Sequence, residues 1–164
     1  MKWILLRYLL ASILPFLSGL FALVLVPLTA LTAFLLLSIV YPVRIDGPVL
    51  SIASAQFSII SACAATLAYI LLAELILLTG GISFSQGLRM FCIGALLIFS
   101  MNIVRVVLLI ALYMEYGKNT FDTVHILFWH LVSTFFVAAV WIFIVEWYKI
   151  RTFPVLSDIK HVLR

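Results

Sequence analysis

The sequence predicts an all-α protein: a polytopic transmembrane bundle of about four spans, with an additional N-terminal hydrophobic helix and a short hairpin-like loop. Composition is the first reason. Of 164 residues, 66% are hydrophobic and only 10% are charged, whereas a soluble domain carries roughly 25% charged residues. The mean hydropathy of +1.33 is the second reason. The third is that the apolar residues form long runs, so the chain cannot cover a water-facing surface.

The apolar runs have the length that a bilayer requires, which is about 20 residues for one spanning helix. Three segments meet this length: about 61–79, about 90–114 and about 125–147. The region from Ile4 to Tyr41 is too long for one helix and short for two, and Pro15 and Pro27 are possible breaks. We expect an N-terminal interfacial or tilted helix followed by one span at about 17–41. Two short spans are the alternative.

Three polar segments connect the predicted spans. The longest is 41–58, where Asp46-Gly47-Pro48 is a turn signal and the flanking residues suit a short surface hairpin. Residues 80–89 and 115–123 are expected to be loops. No internal repeat is visible, which argues against a transporter built from inverted halves.

The distribution of positive charge predicts the orientation. Residues 1–148 are expected to form a single transmembrane domain, and residues 149–164 a basic cytoplasmic tail that can contact anionic membrane lipids. Counting back from this tail places 41–58 outside the cell. The net charge of +4 sits at segment ends and does not indicate nucleic-acid binding. The sequence therefore predicts a multi-pass cell-membrane protein.

Cys63 begins one of the apolar runs, in the stretch SACAATLAY. The predicted topology places it at the outer end of its helix, with Glu74 on the same helical stripe about 16 Å deeper. Taken alone, Cys63 is most simply a small buried hydrophobe. Cys92 has no chemical context and is expected to be structural. The two cysteines are expected near opposite membrane faces, so we predict no disulfide, and no metal or cofactor site.

Arg105 is the most informative charged residue, because apolar residues flank it on both sides in IFSMNIVRVVLLIALY. A charge at such depth costs a few kcal/mol even on lenient insertion scales, so it should face the bundle interior and have a partner or ligand. Asn102, three residues earlier, shares its helical face and can position it. The structural alternative is an arginine that snorkels outward or pairs with Glu74.

His125 is the candidate for acid–base chemistry. Asp122 precedes it by three residues, a spacing that can bring a carboxylate to the imidazole at a helix start. The alternative is a histidine packed in an interfacial aromatic belt. His130, more than one turn further on, could replace His125 as the base. Since a positive charge beside a thiol favours the nucleophilic thiolate, Arg105 and His125 together turn Cys63 into a candidate nucleophile.

The order Cys63, Arg105, His125 resembles that of the exosortase and archaeosortase family. The similarity extends from about 57 to 147, and three stretches carry it: FSIISACAA, NIVRVVLLIAL and FDTVHILFW. The N-x-x-R pattern formed by Asn102 and Arg105 is its most specific part. The family commonly has glycine two residues after the cysteine, whereas this chain has Ala65. The short chain is more similar to the compact archaeal members.

The resemblance implies a membrane-embedded cysteine protease or transpeptidase. Its substrates would be secreted proteins with a C-terminal motif, a transmembrane segment and a basic tail. It would cleave them at the outer face and transfer the new C-terminus to an acceptor such as a lipid. Cys63, Arg105 and His125 would be catalytic, supported by Asn102 and Asp122. Two alternatives stay open: a thiol peptidase that uses water, and a non-enzymatic scaffold or transporter subunit.

Overall fold

The computed structural model describes residues 2–128 and 133–150, which form mainly α-helix with one small β-sheet. The helices are α1 (Lys2–Ile13), α2 (Ser18–Leu37), α3 (Thr66–Leu78), α4 (Phe84–Tyr116), α5 (Lys118–Leu127) and α6 (Ser133–Trp147). The strands are β1 (Val43–Asp46), β2 (Val49–Ile52) and β3 (Ala55–Ser58).

Proline marks the break in the N-terminal helical region. Pro15 lies in a short 3-10 helix, Leu14–Leu17, that separates α1 from α2. Pro27 lies inside α2, and the helix continues past it. A proline at the start of a helix loses no hydrogen bond, whereas one in the interior removes a donor without always ending the helix. The expected N-terminal helix followed by a long apolar helix is therefore present.

Among the described residues, two helical stretches are long and apolar enough to cross a membrane: Leu5–Leu37 and Phe84–Tyr116. The other apolar helices are shorter. α3 has 13 residues, or about 20 Å of helix, and α6 has 15. The hydrocarbon core of a bilayer is about 30 Å thick. The count of four spans and the multi-pass topology therefore stay predictions.

The predicted surface hairpin is a three-stranded antiparallel meander in the order β1-β2-β3. The predicted turn is present, since Gly47 and Pro48 join the paired residues Asp46 and Val49. Gly47 has a φ of +56°, a conformation that glycine adopts without steric cost. The third strand was not predicted. It arises because a second two-residue connection turns the chain back after Ile52.

The expected loop at 115–123 is wrong. α4 runs to Tyr116 and α5 begins at Lys118, so only Gly117 lies between the two helices. Gly117 has a φ of +78°, which changes the chain direction within one residue. The polar composition of this segment gives α5 an exposed face and does not prevent helix formation.

The chain divides into two compact units. Of the described residues, one unit contains 2–18, 67–98 and 136–150, and the other contains 19–66, 99–128 and 133–135. In the first unit, α4 passes close to Leu72 of α3 and Ile144 of α6 at Gly94, where a β-carbon would lie 2.6 Å and 2.8 Å from their side chains. Glycine at this position therefore permits the three helices to pack.

The second unit has a core in which the sheet packs on two helices. Its buried residues come from α2, β2, the segment after β3, and α4: Ala30, Ala33, Leu37, Leu50, Ile52, Ile59, Val106 and Ile110. Alternate residues of β2 supply Leu50 and Ile52, as the two-residue period of a strand requires. Cys63 packs against this core. The second unit also contains the other predicted functional residues, Asn102, Arg105, Asp122 and His125.

Candidate functional site

Cys63 lies in a turn, and not on the helix that the sequence predicted. Residues 61–65 form turns, and α3 begins only at Thr66. The expected helical stripe shared by Cys63 and Glu74 is therefore wrong. Cys63 is partly buried, and the neighbouring Ala64 is fully buried. The thiol consequently stands at a bend in the chain, between β3 and the apolar helix.

Ala65 explains why the helix does not begin at Ser61. It has a φ of +53°, the left-handed conformation. The Thr66 N–H donates to Ser61 O at 3.3 Å, and the Ala65 N–H donates to Ala62 O at 3.3 Å. These two bonds with a left-handed residue are the pattern that ends a helix, in which glycine usually fills the left-handed place. One helical turn thus closes after Cys63, and α3 begins at Thr66.

Two side chains of α4 donate hydrogen bonds to the backbone of this turn. The Asn102 Nδ2 donates to the backbone carbonyl of Cys63 at 2.8 Å. The Arg105 Nη2 donates to the carbonyl of Ala62 at 3.3 Å. Since Asn102 and Arg105 are three residues apart, they face the same way from one helix and reach consecutive carbonyls. The N-x-x-R pattern is therefore a clamp on the turn that holds the thiol.

The carbonyls at the end of a helical turn lack partners within the turn. Here the Ser61 carbonyl accepts from both the N–H and the Oγ1 of Thr66, and the next two carbonyls accept from Arg105 and Asn102. Three successive carbonyls around Cys63 are thus satisfied. This fixes the backbone that carries the thiol.

Arg105 lies in the interior, as its apolar neighbours predicted. Only 6% of its surface is exposed, and 4% of that of Asn102. The hydrogen bond from Arg105 to the carbonyl of Ala62 places its guanidinium beside the turn of Cys63, where its charge can interact with a thiolate. A charge in a buried site is weakly screened, so this interaction is stronger than it would be in water. Arg105 therefore contributes both a hydrogen bond to the turn and a positive charge near the sulfur.

His125 lies in the last turn of α5. Its expected position at the start of the last span stays a prediction, because residues 129–132 lie outside the described part of the chain. A line of ring contacts connects His125 to the sheet. Phe57 of β3 meets Tyr113 at 5.1 Å, Tyr113 meets Phe121 at 5.8 Å, and Phe121 meets His125 at 5.2 Å between ring centroids. Aromatic rings at these distances prefer edge-to-face or tilted arrangements, so each contact restricts the orientation of both rings. The aromatic residues thus set the position of the imidazole.

Asp122 is exposed on α5, one turn before His125. His130 and the tail residues 151–164 lie outside the described residues. Sequence reasoning missed two features of this site. One is the aromatic line through Phe57 and Tyr113, which no sequence spacing indicates because its members come from three elements. The other is the left-handed Ala65, whose signal was the glycine common at this place in similar proteins.

A comparison with known proteins identifies the family of the chain. The family model described as Transmembrane exosortase (Exosortase_EpsH) matches residues 2–147. The chain belongs to the transmembrane exosortase family. It is therefore a membrane protein of a family of cysteine-type transpeptidases that act in protein sorting. Neither the curated proteins nor the solved structures gave a match to this exosortase-family chain.

Proposed function

We propose that this exosortase-family protein cleaves the C-terminal sorting signal of secreted proteins at the outer face of the membrane. It then transfers the new C-terminus to an acceptor such as a lipid. The observation that carries the proposal is the convergence of Asn102 and Arg105 on the turn of Cys63. A cysteine that serves only as a small apolar residue does not need two buried polar side chains to fix its backbone.

Cys63 is the nucleophile in this mechanism. Its thiolate attacks the scissile carbonyl, the C–N bond breaks, and a thioester forms, which divides one difficult step into two easier ones. Arg105 stabilises the thiolate and the charge that develops on the carbonyl oxygen, because its guanidinium is buried and bonded to the residue that precedes Cys63. Asn102 positions the turn through the Cys63 carbonyl.

His125 acts as the general base and acid. It takes the thiol proton and gives a proton to the leaving amine, and Asp122 orients it. In the second step, a hydroxyl or amine of the acceptor attacks the thioester carbonyl, the C–S bond breaks, and the thiol is restored. The ring contact with Phe121 supports this role, because it holds the imidazole at a defined place in the unit that contains Cys63.

The test is processing of a co-expressed secreted protein from the same genome that ends in a motif, an apolar span and a basic tail. We expect Cys63→Ala to abolish processing while the protein stays in the membrane. Cys92→Ala is the matched control, since Cys92 is the exposed second cysteine, and it should process normally. Retained processing in Cys63→Ala would remove the thiol from the mechanism and favour a scaffold.

The mass of the processed C-terminus identifies the acceptor. An added lipid or amine mass shows transfer, and the addition of water alone shows that the protein is a thiol peptidase. Both products require the thioester at Cys63. The product mass therefore identifies the acceptor, whereas the loss of processing in Cys63→Ala identifies the nucleophile.

A further inference from the structure

The last strand of the small sheet has an edge that carries no partner strand within the described part of the chain. β2 is the central strand, and β3 pairs with it on one side only. The exposed edge of a strand presents backbone N–H and C=O groups that can pair with another extended chain. Such an edge is a place where a peptide can be recognised through its backbone.

The register shows which groups face this edge. The Ile59 N–H donates to the Pro48 carbonyl at 2.9 Å just beyond the pair Val49–Ser58. In an antiparallel ladder, hydrogen-bonded and non-hydrogen-bonded pairs alternate. Ser58 is therefore in a non-hydrogen-bonded pair, and so is Gln56, two residues earlier. The N–H and C=O groups of Gln56 and Ser58 point away from β2, toward the open edge.

The two edges of the sheet differ in chemistry. The β1 edge carries Arg44 and Asp46, and both are exposed. Charged residues at an edge discourage pairing with another chain. The β3 sequence AQFS has neither a charge nor a proline. The sheet is thus protected at β1 and left open at β3.

The open edge leads directly to the nucleophile. Cys63 follows Ser58 by only five positions, so the chain can place them no more than about 18 Å apart. The same strand carries Phe57, whose ring contacts Tyr113 in the line that ends at His125. β3 is therefore linked to Cys63 along the chain and to His125 through ring contacts, and all three lie in the second unit.

We propose that the edge of β3 binds the extended segment of a secreted substrate next to its cleavage site, as a fourth strand of the sheet. Backbone hydrogen bonds to Gln56 and Ser58 would hold this segment and set its register relative to Cys63. This inference rests on the proposed function of Cys63. The substrate is the occupant that fits, because the edge continues into the turn where its carbonyl must be attacked.

A proline scan of the sheet edges tests the inference. Gln56→Pro removes an N–H that points outward, at an edge position where proline is tolerated. We expect it to lower substrate processing roughly tenfold, since the substrate carbonyl loses its donor. Ile45→Pro is the matched control. The backbone N–H of Ile45 points away from β2, because its partner Leu50 forms its hydrogen bonds with Phe57 of β3. We expect Ile45→Pro to change substrate processing less than about twofold.

The three variants separate the possible failures. If Cys63→Ala abolishes processing while Gln56→Pro equals Ile45→Pro at matched membrane levels, strand addition is wrong and the nucleophile stands. If Cys63→Ala still processes, the proposed function is wrong, whatever the edge variants do. A larger loss for Gln56→Pro than for Ile45→Pro supports the fourth strand.

Cross-linking gives a second test that does not depend on how the proline variant folds. Gln56→Cys is placed in a Cys63→Ala, Cys92→Ala background, and single cysteines are moved along the substrate segment. Strand addition predicts disulfides at alternate substrate positions, because successive side chains of a strand point to opposite faces. Cross-links without this alternation overturn the inference. So does a substrate-independent Gln56→Cys dimer, which would show that a second copy occupies the edge.

Discussion

The Asn102 amide donates a 2.8 Å hydrogen bond to the backbone carbonyl of Cys63. Asn102 contacts the backbone of the cysteine, so it controls where the sulfur is and not how the sulfur reacts. Both residues lie in one unit of the chain, and the contact joins the middle of α4 to the turn before α3. The position of the thiol therefore depends on a helix that contacts the turn but lies 39 residues later in the sequence.

Replacing Asn102 by alanine tests this contact. Loss of the amide leaves a carbonyl without its donor, which costs about 1–3 kcal/mol where the group is buried. We expect Asn102→Ala to lower the thermal stability of the detergent-solubilised protein and to reduce processing. Val104→Ala is the control, because Val104 is exposed on the same helix. Equal stability of the two variants would contradict a supporting role for the hydrogen bond.

The charge of Arg105 can be separated from its hydrogen bond. Arg105→Lys keeps the charge, whereas Arg105→Gln removes it. We expect Arg105→Gln to slow alkylation of Cys63 by iodoacetamide roughly tenfold at neutral pH, in a Cys92→Ala background, because the thiolate loses a nearby positive charge. Arg105→Lys should stay nearer the wild-type rate. Equal alkylation rates in Arg105→Lys and Arg105→Gln would show that the charge does not activate the thiol and that Arg105 acts only through its hydrogen bond to the turn.

Ala65 adopts a left-handed conformation that costs a residue with a side chain about 1–2 kcal/mol. We expect Ala65→Gly to raise the unfolding free energy by about 0.5–1 kcal/mol, because part of the gain is offset by the entropy of glycine in the unfolded chain. Thermal melting in detergent measures the change. Ala64→Gly is the control: Ala64 is not among the positive-φ residues, so it should destabilise. A loss of stability in both variants would show that Ala65 carries no such cost.

Gly94 lies where α4 packs closely against neighbouring side chains of the first unit. A β-carbon there would lie 2.6 Å from Leu72 and 2.8 Å from Ile144, and both of those side chains are fully buried. Gly94→Ala should therefore destabilise the protein by about 1–3 kcal/mol. Gly19→Ala, where no atom lies within 4 Å of the added carbon, should be neutral or stabilising. The two melting temperatures, measured side by side, decide the point.

The hydrogen bond from the Tyr41 hydroxyl to Glu115 Oε1, at 3.1 Å, makes stability depend on pH. Desolvation and this bond to the carboxylate raise the pKa of Tyr41 above its ordinary value of 10.0. The contribution is therefore complete below pH 10.0 and is lost as the pH rises through the raised pKa. Tyr41→Phe should lower the melting temperature at neutral pH, and the difference from wild type should disappear at high pH.

Tyr116→Phe is the control for this pH series, because Tyr116 is exposed near the same end of α4. It should melt as the wild type does throughout. A difference between Tyr41→Phe and wild type that persists at high pH would mean that packing, and not the hydrogen bond, makes the contribution.

The amino-acid sequence alone determined the class of protein and the burial of Arg105. Long apolar runs and a scarcity of charge exclude a soluble domain, and an arginine among apolar residues must find an interior partner. The spacing of Asn102 and Arg105 on one helical face also follows from the helical repeat. These conclusions depend on composition and local periodicity, which a single sequence contains.

Only the tertiary structure decided the surroundings of Cys63. The stretch from Ser61 to Leu78 has helical composition throughout, yet Ala65 turns left-handed and the helix begins at Thr66. That turn is stabilised by Asn102 and Arg105, some 40 residues later in the chain. Long-range hydrogen bonds override local propensity here, and no local pattern in the sequence can reveal them.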